Sequence, residues 1–213
     1  VLPIPNAPAW EPWLGLLQKV SLFRGISPDD LCRLLLQLSP TVQRYPAGDI
    51  ILLSGQENAS IRIVLEGSIT ASKISPGGQT VTMAHMQPGG IFGDVLSGSS
   101  TPSPVTVTAA ATCTVLALPY ERLMLSGCSD AAHCVLLRNL VEAISDKYFS
   151  LCRRVDLLIL KSLRAKLCAW LLEQYHRAGC AMFSTPLTRA QLAEYLNCER
   201  SALSRELSRM QAE

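Results

Sequence analysis

The chain has 213 residues, 48% hydrophobic and 17% charged, with 19 Lys+Arg against 17 Asp+Glu for a formal net charge of +2. That much apolar surface excludes a disordered chain, and the lack of any run of about 18 uncharged apolar residues excludes a membrane-spanning helix. So small a net charge gives no hint of a nucleic-acid partner by itself, and the length fits one large domain or two small ones.

The sequence opens VLPIPNAPAWEPW, with three prolines in eight residues and no basic segment, so no secretory signal is expected and the chain reads as cytoplasmic. It starts at Val1 rather than Met, and a longer gene product is expected. Residues 1–40 read as a helical lead-in. Ser27-Pro28-Asp29-Asp30 is a helix start, with an N-cap serine, proline in the first turn and acids near the positive end of the dipole, and LCRLLLQL continues it amphipathically.

Residues 41–118 change texture. Short Val/Ile/Thr runs (TVQRY, DIILL, IRIVLEG, ITASKIS, TVTMAHM, GIFGD, VTVTAAA, TVLAL) are separated by turn signals at Pro46–Asp49, Gly67, Pro76–Gly78 and Pro88–Gly90. About eight short strands at roughly ten-residue spacing predict an all-β roll. After Pro119 the pattern is helical. One or two turns over Tyr120–Ser126 precede a long periodic segment in which Leu137, Val141, Ile144, Tyr148, Leu151, Val155 and Leu158 are spaced alternately by four and three. That is a heptad seam, on a helix over 130–158 of about 43 Å at about 1.5 Å per residue. Leu136, Leu140 and Ala143 form a second stripe that can pack on the roll. The seam predicts a coiled-coil homodimer; the alternative is a helix buried within its own domain. A further helix spans about 160–178 and ends at Gly179.

Residues 187–213, LTRAQLAEYLNCERSALSRELSRMQAE, carry the clearest motif. Thr188 is an N-cap for a short helix to Leu196, Asn197 sits at a turn that favours left-handed backbone, and a second helix runs from about Glu199 to Gln211. Ala193 is small where the helices cross, and Leu192, Leu196, Leu203 and Leu207 supply their shared core, which is a helix-turn-helix. The second helix exposes Arg200, Ser201, Ser204, Arg205, Ser208 and Arg209: short hydroxyls permit close approach to a groove, and arginine suits guanine or phosphate. Glu206 must point away from phosphate or read cytosine. Residues 153–213 hold ten Lys and Arg against six acids, a net of +4, while residues 1–152 carry −2, so the charge is polarised toward this end.

The eight cysteines (32, 113, 128, 134, 152, 168, 180, 198) form no CxxC pair, and most fall at apolar-periodic positions, so buried free thiols are expected, with redox sensing or a metal site as alternatives. A cupin-type enzyme would need two or three histidines on strands around a metal; His85, His133 and His176 do not supply them, and no nucleophile triad or Walker loop occurs. No catalytic or metal-binding residues are assigned, and no enzyme activity is expected.

Over roughly residues 15–213 the sequence resembles the Crp/Fnr family of bacterial transcription regulators, through YPAGDIILLSG, IRIVLEGSI, GGIFGD, the long helix and LTRAQLAEYLNCERSALSRELSRM. The resemblance implies an α+β chain: a double-stranded β-helix (jelly-roll) sensor over 1–128, a dimerisation helix over 129–159, and a winged helix-turn-helix over 160–213 whose β-hairpin wing is not reached before Glu213. It implies a homodimer on a palindromic double-stranded DNA operator, an effector that re-aims the recognition helices, and RNA polymerase as a further candidate partner, with no membrane role. By position Arg200, Ser201 and Arg205 match base-reading residues, and Thr188 and Arg189 match phosphate contacts. The effector pocket implied comprises Gly93, Asp94, Val95, Ser103, Val105, Leu151 and Cys152.

Two departures stand out. Gly93-Asp94 replaces the Gly-Glu of the cyclic-nucleotide members, and Ser103-Pro104 stands where their phosphate-binding Arg would be. No Lys or Arg lies between Lys73 and Arg122, and a buried phosphate needs a cationic partner, so this roll is not expected to bind cAMP in the usual way. Leu151 and Cys152 occupy positions where hydroxyls would face adenine. Iron–sulfur sensing is not expected, since no cysteine precedes Cys32; haem has no support beyond His85, which reads as structural. The effector and any cofactor stay unassigned. The alternative readings are a cyclic-nucleotide-binding-like module that does not bind DNA, or a cupin-type β-roll enzyme.

Overall fold

The computed structural model describes residues 8–74, 78, 80–93, 102–125, 130–185 and 187–213. They form two compact units, 1–144 and 145–213, each with its own core. The boundary falls within the long helix, whose first half packs in the first unit and whose last residues pack in the second.

In the first unit the expected strands all form. They are β1 (Thr41–Tyr45), β2 (Ile50–Leu52), β3 (Ser60–Glu66), β4 (Ile69–Ile74), β5 (Thr80–Met86), β6 (Ile91–Phe92), β7 (Thr106–Ala109) and β8 (Cys113–Pro119). They pair antiparallel in two four-stranded sheets, β1-β8-β3-β6 and β2-β7-β4-β5, the interleaved order of a jelly roll. The alternation of β3 serves two cores. Ile61, Ile63 and Leu65 point outward into a cluster with the helices, while Val64 points inward with Val115, Phe92, Ile69 and Val107. Gly67 turns β3 into β4 at φ +73°, and a Cβ there would stand 2.2 Å from the Thr112 carbonyl oxygen, so only glycine fits.

The helical lead-in is more broken than expected. A 3-10 turn at Glu11–Trp13, α1 (Leu14–Leu17) and a second 3-10 turn at Ser21–Phe23 precede α2 (Pro28–Leu38). Ser27 caps α2 as expected, its hydroxyl accepting from the Asp30 N–H at 3.2 Å. Leu31, Leu34, Leu35 and Leu38 are buried against the outer face of the first sheet. After α3 (Tyr120–Leu125), α4 (Ala131–Ile159) contributes Leu136 and Leu140 to the same cluster, so the second apolar stripe packs on the roll as expected. Buried Asn139 ties the lead-in to α4, donating to the carbonyls of Leu22 (3.0 Å) and Arg24 (2.8 Å).

The second unit is helical. α5 (Leu163–Ala178) begins later than expected because Ser162 caps it, accepting from the Ala165 N–H at 3.1 Å; Gly179 ends it at φ +67°. α6 (Arg189–Tyr195) and α7 (Arg200–Ala212) pack on α5 around Leu167, Trp170, Leu192, Ala193, Leu196 and Leu203, joined by the last residues of α4 through Leu157. Burial of thiols was expected too widely: of the described cysteines only Cys113 is buried, and Cys134, Cys168 and Cys180 are exposed because they lie on solvent faces of helices or in the α5–α6 link.

Candidate nucleic-acid interface and sensor pocket

The α6–α7 pair is fixed by local chemistry. Thr188 and Gln191 form a reciprocal capping box: the Thr188 hydroxyl accepts from the Gln191 N–H (3.3 Å), and the Gln191 side chain accepts from the Thr188 N–H (2.8 Å). Asn197 takes φ +51°, the expected left-handed turn, and Lys166 of α5 donates to the Leu196 carbonyl at 3.1 Å. Ala193 is buried at the crossing and Leu203 is fully buried, while Leu207 packs at the edge of the core. A Thr188→Ala variant should lower the stability of this unit by about 1 kcal/mol, and Thr188→Ser should restore it, as read by urea unfolding followed at Trp170.

At about 100° per residue, Arg200, Ser201, Ser204, Arg205 and Ser208 fall within about 140° of α7, an arc that leaves out Leu203 and is bordered on its Arg200 side by Leu207. All five are exposed except Ser204, which is half-buried. Among the described residues Arg189, Arg200 and Arg205 make no ion pair, so their guanidiniums are open to a partner. Arg209 is different. It leans to Glu206 (3.6 Å), which is largely buried and also faces Arg164 (3.8 Å), so Glu206 points to α5 and away from the polar face. That settles how an acid fits a basic helix, and it leaves Arg209 at the margin of the candidate interface rather than in it.

The α4 seam residues split. Leu137 and Ile144 are half-buried, and Ile144 packs against the roll's outer cluster. Val141, Tyr148 and Leu151 are 62%, 62% and 61% exposed, and Val155 and Leu158 are also open. Among the described residues the seam is therefore partly covered at Leu137 and Ile144 and open at Val141, Tyr148, Leu151, Val155 and Leu158. Cys152 is half-buried one turn after Tyr148, and its hydrogen bond to the phenol pushes the Tyr148 pKa up.

Of the expected pocket residues, Asp94 and Val95 lie outside the described residues. Gly93 leaves β6 at φ +76°, where a Cβ would be 2.8 Å from both the Asn58 side-chain nitrogen and the Ser60 carbonyl oxygen. Ser103 is buried, but its hydroxyl is spent locally, donating to the Val105 carbonyl at 2.8 Å and accepting from the Val105 N–H at 3.3 Å. Val105 packs on the roll interior. Leu151 and Cys152 belong to the second unit. A cavity of about 400 Å³ in the roll is lined by Ser54, Ser72, Lys73, Ile74, Thr80, Pro104 and Thr106. The three histidines lie on separate elements: His85 on β5, 3.2 Å from the Thr70 hydroxyl, His133 buried on α4 with neither ring nitrogen hydrogen-bonded, and His176 on α5.

The sequence reading missed Arg62. The sequence between β6 and β8 holds no Lys or Arg, but β3 carries one cation. Arg62 stands across from Ala117 on β8 and Phe92 on β6, on the same face as Val64, so its side chain is directed into the roll. The signal was present in IRIVL, where Arg62 has the opposite parity to Ile61 and Ile63.

A jelly roll followed by a long helix and a helix-turn-helix defines a sensor-and-reader class of protein. The sequence pattern of the cyclic nucleotide-binding domain matches residues 42–124, and that of the Crp-like helix-turn-helix domain matches residues 165–213. The chain is similar to the crystal structure of the Thermus thermophilus catabolite activator protein, with a TM-score of 0.59 and 22% identity over 90% of this chain and 87% of that one. A CRP-like cAMP-activated global transcriptional regulator of Mycobacterium tuberculosis is 25% identical over 96 residues, 44% of this chain and 42% of that protein. The potassium channel KOR2 of Oryza sativa subsp. japonica is 30% identical over 111 residues, 52% of this chain and 15% of the channel. The chain thus spans less than half the length of these curated relatives. With both domain patterns in the order found here, the chain belongs to the Crp/Fnr family of transcription regulators. That family and its fold are those of regulators rather than enzymes. Among the described residues no helix is long and apolar enough to cross a membrane.

Proposed function

We propose that this chain is an effector-responsive, sequence-specific DNA-binding transcription regulator that acts in the cytoplasm as a homodimer on a palindromic operator. The observation that carries the reading is α7: an arc of exposed Arg200, Ser201, Arg205 and Ser208 with half-buried Ser204, on a helix whose apolar side is locked by a capped partner helix. The arginines take base edges, the hydroxyls admit the helix to the major groove, and Thr188 and Arg189 at the start of α6 take phosphate. Enrichment of random-sequence duplexes on the protein should converge on a two-fold-symmetric site with half-sites about 10 bp apart, centre to centre. A pool that converges on no sequence overturns the reading.

The effector is not cAMP bound in the usual way. Support comes from the sequence between β6 and β8, which has no Lys or Arg to neutralise a phosphate there. Titration calorimetry with cAMP should therefore show no binding in the micromolar range, and a micromolar isotherm would overturn this part of the proposal.

A further inference from the structure

We propose that the interior of the roll is a binding site for a small carboxylate or phosphate anion, with the charge of the anion met by Arg62 of β3. The proposal rests on the reading of this unit as a sensor and names the chemistry of what it senses.

Three observations carry it. First, Arg62 is half-buried and faces inward. Its cross-strand neighbours are Phe92, which is buried in the inner cluster, and Ala117, whose side chain is small. Second, Arg62 is aimed. Buried Asn58 donates from its amide nitrogen to the carbonyls of Ser60 (2.8 Å) and Gly93 (2.9 Å), which turns its amide oxygen to accept from Arg62. The contact to the Ser60 carbonyl at 3.4 Å comes from the same nitrogen, Nη1. Third, the rest of the guanidinium is unused. Nη2 and Nε meet no hydrogen-bond partner among the described residues, and no carboxylate there pairs with Arg62. Those two nitrogens form the edge that binds carboxylate or phosphate through two parallel hydrogen bonds.

An arginine taken from water without a counter-charge is costly, and guanidinium does not escape by losing its proton near neutral pH. Burial pulls its pKa down from the ordinary value, with the Tyr45 hydroxyl acting in the opposite direction. Tyr45, half-buried at the end of β1 and packed on the inner cluster, adds a second donor on the same side of the roll. An incoming anion supplies a counter-charge that Arg62 does not find among the described residues, and the site then responds to ligand through that guanidinium.

The test uses the full chain, with melting followed in chloride and in millimolar inorganic phosphate, succinate or cAMP at matched ionic strength. Phosphate or succinate should raise the melting temperature by about 3 °C or more at roughly ten times its Kd. Arg62→Met should melt at or above the wild-type temperature in chloride and lose that rise, whereas Lys73→Met, which alters the separate cavity beside β4 and β5, should keep it. In the wild-type protein the Arg62 Nε–Hε NMR signal should move with the same anion, so the proposal stays testable if Arg62→Met fails to fold. No rise with any anion, a rise that survives Arg62→Met, a rise abolished by Lys73→Met alone, or a stationary Arg62 signal overturns the site. An Arg62-dependent rise with cAMP supports the site but overturns the cAMP exclusion above. DNA binding measured on the same preparations separates the two readings: intact operator binding without any anion response removes this inference and leaves the regulator standing.

Discussion

The Arg200→Ala, Arg205→Ala double variant is expected to bind its operator no more tightly than random DNA. A bidentate arginine–base contact is worth about 1–3 kcal/mol of discrimination. A dimer loses four such contacts, about 4–12 kcal/mol if they add, and the whole gap between specific and non-specific binding is about 4–10 kcal/mol. The loss therefore consumes the gap, and affinity should fall by about 10³-fold or more to the salt-dependent background. Fluorescence anisotropy on operator and scrambled duplexes across a salt series measures this. The fold should be untouched, because both side chains are exposed and neither makes an ion pair among the described residues. Arg189→Ala should behave differently. As a phosphate contact it should weaken operator and scrambled DNA alike and reduce the salt slope by about 1 per subunit. If the double variant keeps its preference for the operator, α7 is not the recognition helix.

The two ends of the chain differed in how far they could be read. The roll was legible because turn residues and β-branched runs alternate on a fixed period, and each of the eight expected runs became a strand. Helix caps were legible where the side chain and its target N–H are three residues apart, as at Ser27 and Thr188. What escaped depends on which face a residue occupies once distant strands pair. Arg62 reads as one charge in an apolar run until β6 and β8 place Phe92 and Ala117 beside it. Glu206 reads as a misplaced acid until Arg164, far back in sequence, lies across from it. Cysteine burial was misjudged for the related reason that a helical period says which residues share a face, not which face is covered.

Placing Glu at both Leu151 and Val155 should convert the proposed dimer to a monomer. Both side chains are exposed in the single chain, so the substitutions remove nothing from its own cores, and each unit should keep its stability. In the dimer they would sit in the heptad seam, where burying one large apolar side chain is worth about 1.5–3 kcal/mol. Two residues in each of two chains give about 6–12 kcal/mol, before the repulsion of four carboxylates brought together. The dimer dissociation constant should rise by about 10⁴-fold or more, which sedimentation velocity across a concentration series will read. Leu140→Glu is the control on the other stripe of α4. That residue is buried against the roll, so the variant should unfold the first unit rather than dissociate a dimer. Operator binding by the seam variant should fall to that of a single half-site while the base preferences of α7 persist, because in the proposed dimer the seam would set the spacing of two recognition helices and not the chemistry of either. A seam variant that sediments as the wild type does would remove the dimer from the proposal and leave Val141, Tyr148, Leu151, Val155 and Leu158 to some other partner.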